Sequence, residues 1–185
     1  MTSVNRTITW TVTDADSESL GAEISTVVTS SINITPLSDP PVMSAGATLS
    51  YTENETAAVI DDNITITDDD DIEIDGGRVT ISTGFTTGDT LTLTTQNGIS
   101  GTYDSATGVL TISGTASLSE YETALQSITY HSISEDPTIT AGSRTVSWTV
   151  TDANSDVAGA GTSTAVTSTI NIAPINDAPV MTTGA

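Results

Sequence analysis

Apolar and polar residues alternate with a period of two along many short stretches of the chain, as they do in half-buried β-strands. The clearest stretch is 7–13, where Ile8, Trp10 and Val12 lie on one face and threonines lie on the other. Similar patterns predict further strands near 24–34, 47–52, 57–67, 78–83, 90–95, 108–113, 126–132, 145–151 and 163–172. Turn signals separate some of them at Gly76-Gly77, Asn97-Gly98 and Thr107-Gly108. The pattern predicts an all-β chain, an antiparallel β-sandwich with Greek-key connections.

The segment 117–128 departs from this pattern and has the periodicity of a helix. Its apolar residues recur at helical spacing, at Leu118, Tyr121, Leu125 and Ile128. Ser117 precedes them, and Glu120 follows it by three positions, which is the signature of a capping box. We therefore expect one short helix laid across an end of the sandwich.

A long internal repeat organises the chain. Residues 6–43 recur without a gap at residues 144–181, so that Trp10 corresponds to Trp148 and the period, 144 minus 6, is 138 residues. Solenoid repeats are about 20–50 residues long, whereas a whole domain has about 100–150. The chain is therefore expected to be one complete module preceded by the end of another, taken from a longer tandem array.

Proline-containing stretches at 36–41 and 174–179 follow the last predicted strand of each copy. Proline stiffens a linker and cannot donate a hydrogen bond to a β-ladder, so module boundaries are expected there. The predicted division is residues 1–37 as the C-terminal part of a preceding repeat, 38–43 as a linker, 44–175 as the complete repeat and 176–185 as a C-terminal linker.

Charge and cysteine content narrow the expected partners. The chain has 24 acidic and 3 basic residues, a net charge of −21 at pH 7, and no cysteine. Such a charge disfavours nucleic acid and anionic membrane surfaces and favours divalent cations. An apolar run of about 18 residues is also absent from the sequence, so no membrane insertion is expected. Because neither disulfides nor thiolate metal sites are available, Ca²⁺ is the expected stabilising ligand for an extracellular chain.

Acidic residues concentrate in predicted loops and strand ends, at 14–18, 53–55, 61–62, 68–75 and 152–156. Asp68 to Asp71 follow one another directly, and their mutual repulsion would be removed by a bound divalent ion. Calcium takes about six to eight oxygen ligands from carboxylates, carbonyl groups and asparagine side chains. The alternative interpretation is an acidic loop that is solvated and binds no ion.

Four motifs occur in order along the complete repeat: Glu53-Asn54-Glu55, Asp68-Asp69-Asp70, Asp152 and Asn176-Asp177-Ala178-Pro179. Their order and spacing resemble the cadherin pattern of an early Glu-Asn, a D-x-D loop, a late single Asp and an N-D-x-x-P linker. The stretch 87–132 is similar to the cadherin-like modules repeated in tandem in large secreted bacterial adhesins of the RTX type.

The resemblance implies a cadherin/Ig-like sandwich with calcium held between consecutive modules, which makes the array rigid. At the top of the complete module the implied ligands are Asp39, Asp68, Asp70 and Asp152. At the bottom they are Glu53 or Glu55 together with Asn176 and Asp177. The resemblance further implies a structural role in cell adhesion, a place outside the cell or on a bacterial cell surface, and neighbouring repeats of the same polypeptide as partners.

Residues suited to catalysis are few. The only histidine, His131, lies in a predicted strand directly before Ser132, whereas the members of a Ser-His-acid triad come from separate loops. Trp10 and Trp148 occupy equivalent inward positions and are expected in the core. We therefore expect no enzymatic activity. The alternative function is a ligand-binding module of the same kind of adhesin, which recognises a glycan, a partner or ice.

Residues 1–35 supply only the last two strands of a sandwich, so Ile8, Trp10 and Val12 lack the strands that would cover them. A two-stranded hairpin is marginally stable by itself. We expect this hairpin either to pack against another chain, for example in a strand-exchanged homo-oligomer, or to be poorly ordered.

Overall fold

The computed structural model describes residues 5–35, 37–155, 158–179 and 181. These residues form thirteen strands and one helix. The strands are β1 (Asn5–Trp10), β2 (Val28–Asn33), β3 (Val42–Ser44), β4 (Thr48–Thr52), β5 (Ala58–Val59), β6 (Thr65–Thr67), β7 (Glu73–Thr83), β8 (Asp89–Thr92), β9 (Ser100–Asp104), β10 (Val109–Ser117), β11 (Thr129–Ser132), β12 (Ser143–Asp152) and β13 (Val166–Ala173). The helix α1 (Leu118–Gln126) lies between β10 and β11.

Four sheets organise these strands. The largest has the order β4-β13-β12-β7-β10-β9, a second has the order β5-β11-β8, and β3-β6 and β1-β2 are two-stranded. All pairs are antiparallel except β13 with β4. The core contains Trp148 together with Tyr51 and Tyr130, whose rings meet edge to face with centroids 4.9 Å apart. The predicted all-β sandwich with one short helix is confirmed.

The Gly76-Gly77 pair does not form a turn, contrary to the prediction, but lies inside β7. A Cβ atom on Gly77 would lie 3.0 Å from the carbonyl oxygen of Thr149 in β12, and one on Gly76 would lie 3.2 Å from that of Ile112 in β10. Glycine therefore lets both neighbouring strands approach the central strand closely. As a result β7 begins at Glu73, five residues before the predicted start at 78.

Other strand predictions also differ from the structure. The single strand predicted at 57–67 is two short strands, β5 and β6, with a loop around Asp61 between them. One carboxylate oxygen of Asp61 accepts the N–H groups of Gly46 and Ala47, both at 2.9 Å, which holds this loop against the chain before β4. Strands β3 and β9 were not predicted, because their short sequences lack an alternating apolar pattern.

The helix α1 begins as the sequence predicts. The Ser117 hydroxyl accepts the Glu120 N–H at 3.4 Å, and the Glu120 carboxylate accepts the Ser117 N–H at 3.0 Å, which completes the capping box. Tyr121, Ala124 and Leu125 are buried on the inner face of the helix. Among the described residues, no helix has the length and apolarity needed to cross a membrane.

The sequence repeat is also a structural repeat. Every residue pair in the register of the β1–β2 hairpin recurs 138 residues later in the β12–β13 hairpin. The Trp10 indole N–H donates to the Ser30 hydroxyl at 3.2 Å, and the Trp148 indole N–H donates to the Ser168 hydroxyl at 3.0 Å. Local sequence therefore suffices to specify the hairpin in both places.

The two hairpins differ in what covers them. Trp148 is fully buried, as predicted, whereas Trp10 is 56% exposed. All residues of β1 and β2 are exposed, because no other strand in the described part of the chain pairs with them. The prediction that Trp10 lies in a core is therefore wrong for this chain.

Candidate metal centre

A turn after β6 gathers three aspartates. The Oδ1 atom of Asp68 accepts the N–H groups of Asp70 at 3.1 Å and Asp71 at 2.9 Å, which curls the chain back on itself before β7. One carboxylate oxygen from each of the three residues then lies within 4.8 Å of the other two. We call Asp68, Asp70 and Asp71 the aspartate cluster.

The aspartate cluster holds three buried oxygen atoms that need a positive partner. These atoms are Oδ2 of Asp68, Oδ1 of Asp70 and Oδ2 of Asp71, and none accepts a hydrogen bond from a described residue. Asp71 is only 2% exposed. Buried carboxylate oxygens without donors are energetically costly, and hard cations bind such oxygens directly. The donor set therefore fits Ca²⁺ or Mg²⁺.

The charge of Asp68 is disfavoured where it lies. Burial raises the pKa of the Asp68 carboxyl, and the neighbouring Asp70 carboxylate raises it further. The N–H groups of Asp71 and Asp70 act in the opposite direction without cancelling the effect. A cation among these carboxylates would stabilise their charged forms.

The first linker meets the aspartate cluster directly. The Asp39 N–H donates to Oδ2 of Asp70 at 3.1 Å. The hydroxyl oxygen of Ser38 is buried and has no hydrogen-bond partner among the described residues. Asp39 also lines an open cleft of about 410 Å³ together with Asp68 and Asp69. The structure thus brings Asp39, Asp68 and Asp70 together, three of the four residues expected at the top of the module.

Asp152, the fourth expected residue, lies at the end of β12 and is buried. Its Oδ1 atom accepts the Asn154 N–H at 3.0 Å, and its Oδ2 atom accepts the Gly161 N–H at 2.7 Å. The carboxylate therefore holds the β12–β13 loop closed, and Asp152 is not one of the three grouped aspartates. Asp14 uses one oxygen in the same way in the first hairpin, where it accepts the N–H groups of Asp16 and Glu23.

Asp71 joins the cluster to the β12–β13 loop. Its Oδ1 atom accepts the Ser155 N–H at 2.6 Å and is also contacted by the Ser155 hydroxyl. Neither Asp71 nor Ser38 was among the predicted ligands. The only sequence signal for Asp71 is its place at the end of the run of four aspartates, since Ser155 follows 84 residues later.

At the opposite end of the module the expected residues are less closely gathered. Glu53 is 2% exposed, and one of its oxygens accepts the Ile175 N–H at 2.7 Å while the other has no described partner. The Glu55 carboxylate accepts the Thr52 N–H at 2.8 Å. Asn176 and Asp177 are exposed. Among the described residues only the aspartate cluster forms a group of three close carboxylates.

Comparison with known proteins gives one informative match. The chain is 37% identical over 130 residues to Halomucin of Haloquadratum walsbyi. This chain is similar to a small part of a very long protein. The match covers 67% of the chain but only 1% of the length of Halomucin. No protein-family model matches the chain, and the cadherin-like character stays a resemblance.

Proposed function

We propose that the chain is a structural repeat of a large extracellular surface adhesin, in which Ca²⁺ at module junctions stiffens the array. It has no enzymatic role in this proposal. The observation that carries the proposal is the set of three buried oxygens of the aspartate cluster, beside the linker, that accept no hydrogen bond from a described residue. The similarity to a segment of Halomucin supports a module from a large surface protein.

The proposed ion lies among Asp68, Asp70 and Asp71, with the Ser38 hydroxyl as a further candidate ligand. Once bound, it supplies positive charge that offsets the repulsion among the carboxylates. The same aspartates already contact the linker through Asp39 and the β12–β13 loop through Ser155. Ion binding would therefore hold the linker, the cluster and this loop as one rigid unit.

Calcium suits this site better than a softer metal ion such as zinc or copper. All the candidate ligand atoms are oxygens, and no cysteine exists in the chain. Oxygen-only sites favour calcium, magnesium and manganese over softer ions. Calcium also accepts the irregular geometry of a loop, whereas Mg²⁺ demands an octahedron and keeps several waters.

Calorimetric titration with CaCl₂ tests the proposal, together with thermal unfolding in EDTA and in millimolar calcium. A ligand bound only by the folded state stabilises it by about 2.7 kcal/mol at a concentration of 100 Kd. Replacing Asp68→Asn and Asp70→Asn together should abolish most of the binding heat and of the calcium-dependent rise in Tm.

The matched control removes the same number of charges from exposed positions outside the cluster and its cleft, through Asp62→Asn with Glu135→Gln. This control should keep the binding heat. Melting curves of the unsubstituted chain that coincide in EDTA and in millimolar calcium would rule out the calcium role. Equal losses in both double variants would point to net charge rather than to a site.

A second candidate function is recognition by the outer face of the large sheet. Hydroxyl side chains lie side by side there, with Thr111 opposite Thr102, and Thr169 between Thr145 and Thr48. Such a face is suited to a hydroxyl-rich ligand, a glycan or ice. Binding to a glycan panel or to ice, lost on Thr111→Val with Thr169→Val, would favour this candidate.

A further inference from the structure

We infer that the apolar face of the β1–β2 hairpin is the docking surface for a second copy of residues 38–142, lying ahead of the hairpin in the same polypeptide. Residues 38–142 are the part of a module that precedes its closing hairpin. The inference rests on the tandem array of the proposed function, but not on its calcium site.

The first observation is a continuous apolar face that the described part of the chain leaves exposed. The large apolar residues on this face are Ile8, Trp10, Val12, Ile32 and Ile34. Their counterparts 138 residues later are all buried, namely Val146, Trp148, Val150, Ile170 and Ile172. The inward residues are thus retained between the copies with one conservative change, Ile8 for Val146, although their environments differ.

The structure itself shows what covers such a hairpin. Within the complete module, the edge of β12 that faces away from β13 pairs with β7. The edge of β13 that faces away from β12 pairs with β4. Both β4 and β7 belong to residues 38–142. The corresponding edges of β1 and β2 have no partner strand among the described residues. An occupant with the shape and hydrogen-bonding edges of β4 and β7 therefore fits both the face and the edges of the hairpin.

The second observation is a cation on the hairpin that lacks its carboxylate. Arg144 is fully buried, and its Nε atom lies 2.6 Å from Oδ2 of Asp89. It also donates to the carbonyl oxygens of Pro137 at 2.6 Å and Ala141 at 2.8 Å. All three acceptors lie within residues 38–142. Arg6, the counterpart of Arg144, is exposed and forms no ion pair with a described residue.

This arginine selects among possible occupants. An apolar ligand would cover Trp10 but would leave Arg6 buried without an anion, which is strongly unfavourable. The net charge of −21 disfavours an anionic lipid surface. A second complete copy of this chain does not fit either, because its Asp89 and its β7 edge are already taken by Arg144 and β12. The occupant that fits is a copy of residues 38–142 that has this hairpin as its own closing hairpin.

The test compares the chain with an extended chain in which residues 38–142 are joined directly ahead of Asn5, which preserves the 138-residue period. The added segment contains no tryptophan, so Trp148→Phe leaves Trp10 as the only reporter in both proteins. In the extended chain we expect Trp10 emission to move to shorter wavelength and acrylamide quenching to weaken several-fold. Both changes should occur in EDTA and in calcium alike.

Charge substitutions make the test specific. Asp89→Asn in the added copy should weaken the protection of Trp10. In an extended chain that already carries Arg6→Met, the same Asp89→Asn substitution should have no further effect, because the two residues form one pair. Asp104→Asn in the added copy is the control, since this exposed carboxylate contacts only its own turn. In the original chain Arg6→Met should leave Tm unchanged.

Two results would overturn the inference. In the first, acrylamide quenches Trp10 as strongly in the extended chain as in the original chain. The Trp10→Phe variant, in which Trp148 is the only tryptophan, reports separately whether the complete module is folded. In the second, Trp10 becomes protected in the original chain as a dimer forms in sedimentation experiments, which would assign the face to a second complete copy. A loss of calcium binding with Trp10 still protected would remove the metal proposal alone.

Discussion

At the scale of single residues, Asp61 is a buried carboxylate that ties three parts of the module together. Its oxygens accept the N–H groups of Gly46 and Ala47 at 2.9 Å, that of Asn63 at 3.0 Å and the hydroxyl of Ser168 at 2.6 Å. Burial raises the pKa of Asp61, but these hydrogen bonds together outweigh it and hold the pKa below its ordinary 3.8. The folded protein therefore favours the charged form.

We predict that Asp61→Asn lowers the free energy of unfolding at pH 7 by about 1–3 kcal/mol, the cost of leaving buried partners unsatisfied. Because the folded-state pKa is depressed, the carboxylate's contribution is fully present above pH 3.8 and is lost as the pH falls through the folded-state pKa. Urea unfolding of both proteins should show a gap in the free energy of unfolding at pH 7 that narrows as the pH falls below 3.8. The exposed neighbour substitution Asp62→Asn should leave the pH 7 value nearly unchanged; a gap that stays constant with pH would contradict the prediction.

Individual site residues were predictable only where their signal is local. The aspartates at 68 and 70 stand in one motif, and the linker motif places Asp39 beside them. The pairing of Arg144 with Asp89 joins residues 55 positions apart, and nothing around either residue indicates the other. Asp152 was expected to offer a ligand. Its two oxygens accept backbone N–H groups of the β12–β13 loop, and these contacts depend on the exact path of that loop.

At the scale of elements, α1 depends on its first turn. Ser117→Ala removes the hydroxyl that accepts the Glu120 N–H and should lower the free energy of unfolding by about 1 kcal/mol. Ser119→Ala, two residues on at an exposed position, should have little effect. Chemical denaturation of the two variants measures both values, and equal losses would show that the cap contributes nothing particular.

Strands were predicted correctly where the alternating apolar pattern extends over many residues. They were missed where a segment is a strand only because a neighbouring strand pairs with it. In β12 the inward Val146, Trp148 and Val150 alternate with half-buried polar residues over the whole strand, so the sequence alone identifies it. Strand β9 has the sequence SGTYD with almost no buried residue, and it exists because β10 offers it an edge. The glycine pair in β7 carries a turn signature, but close neighbouring strands override it.

At the scale of the whole molecule, charge opposes folding. The net charge is −21, and one of the three basic residues, Arg144, is buried in an ion pair. Repulsion among exposed acidic groups is screened as the Debye length falls from about 30 Å at 0.01 M salt to about 3 Å at 1 M.

We predict that NaCl raises the free energy of unfolding between 0.01 M and 1 M, by about 1 kcal/mol or more, since each close like-charge pair contributes a few tenths. Urea unfolding in EDTA at a series of NaCl concentrations measures this effect without divalent ions. Substituting choline chloride for NaCl should give the same rise, because screening depends on ionic strength. Stability that is flat or falls with salt would show that self-repulsion is not a significant cost.

Among the described strands β4 and β13 form the one parallel pair, and this pairing has a mechanical consequence. These strands lie near opposite ends of the module's sequence, so a pull on the two flanking linkers draws them in opposite directions along their length. Their register, from Thr48 with Thr169 to Thr52 with Ala173, places the connecting hydrogen bonds side by side across that direction. Tension would therefore load all the β4–β13 hydrogen bonds together in shear, instead of breaking them one after another from one end.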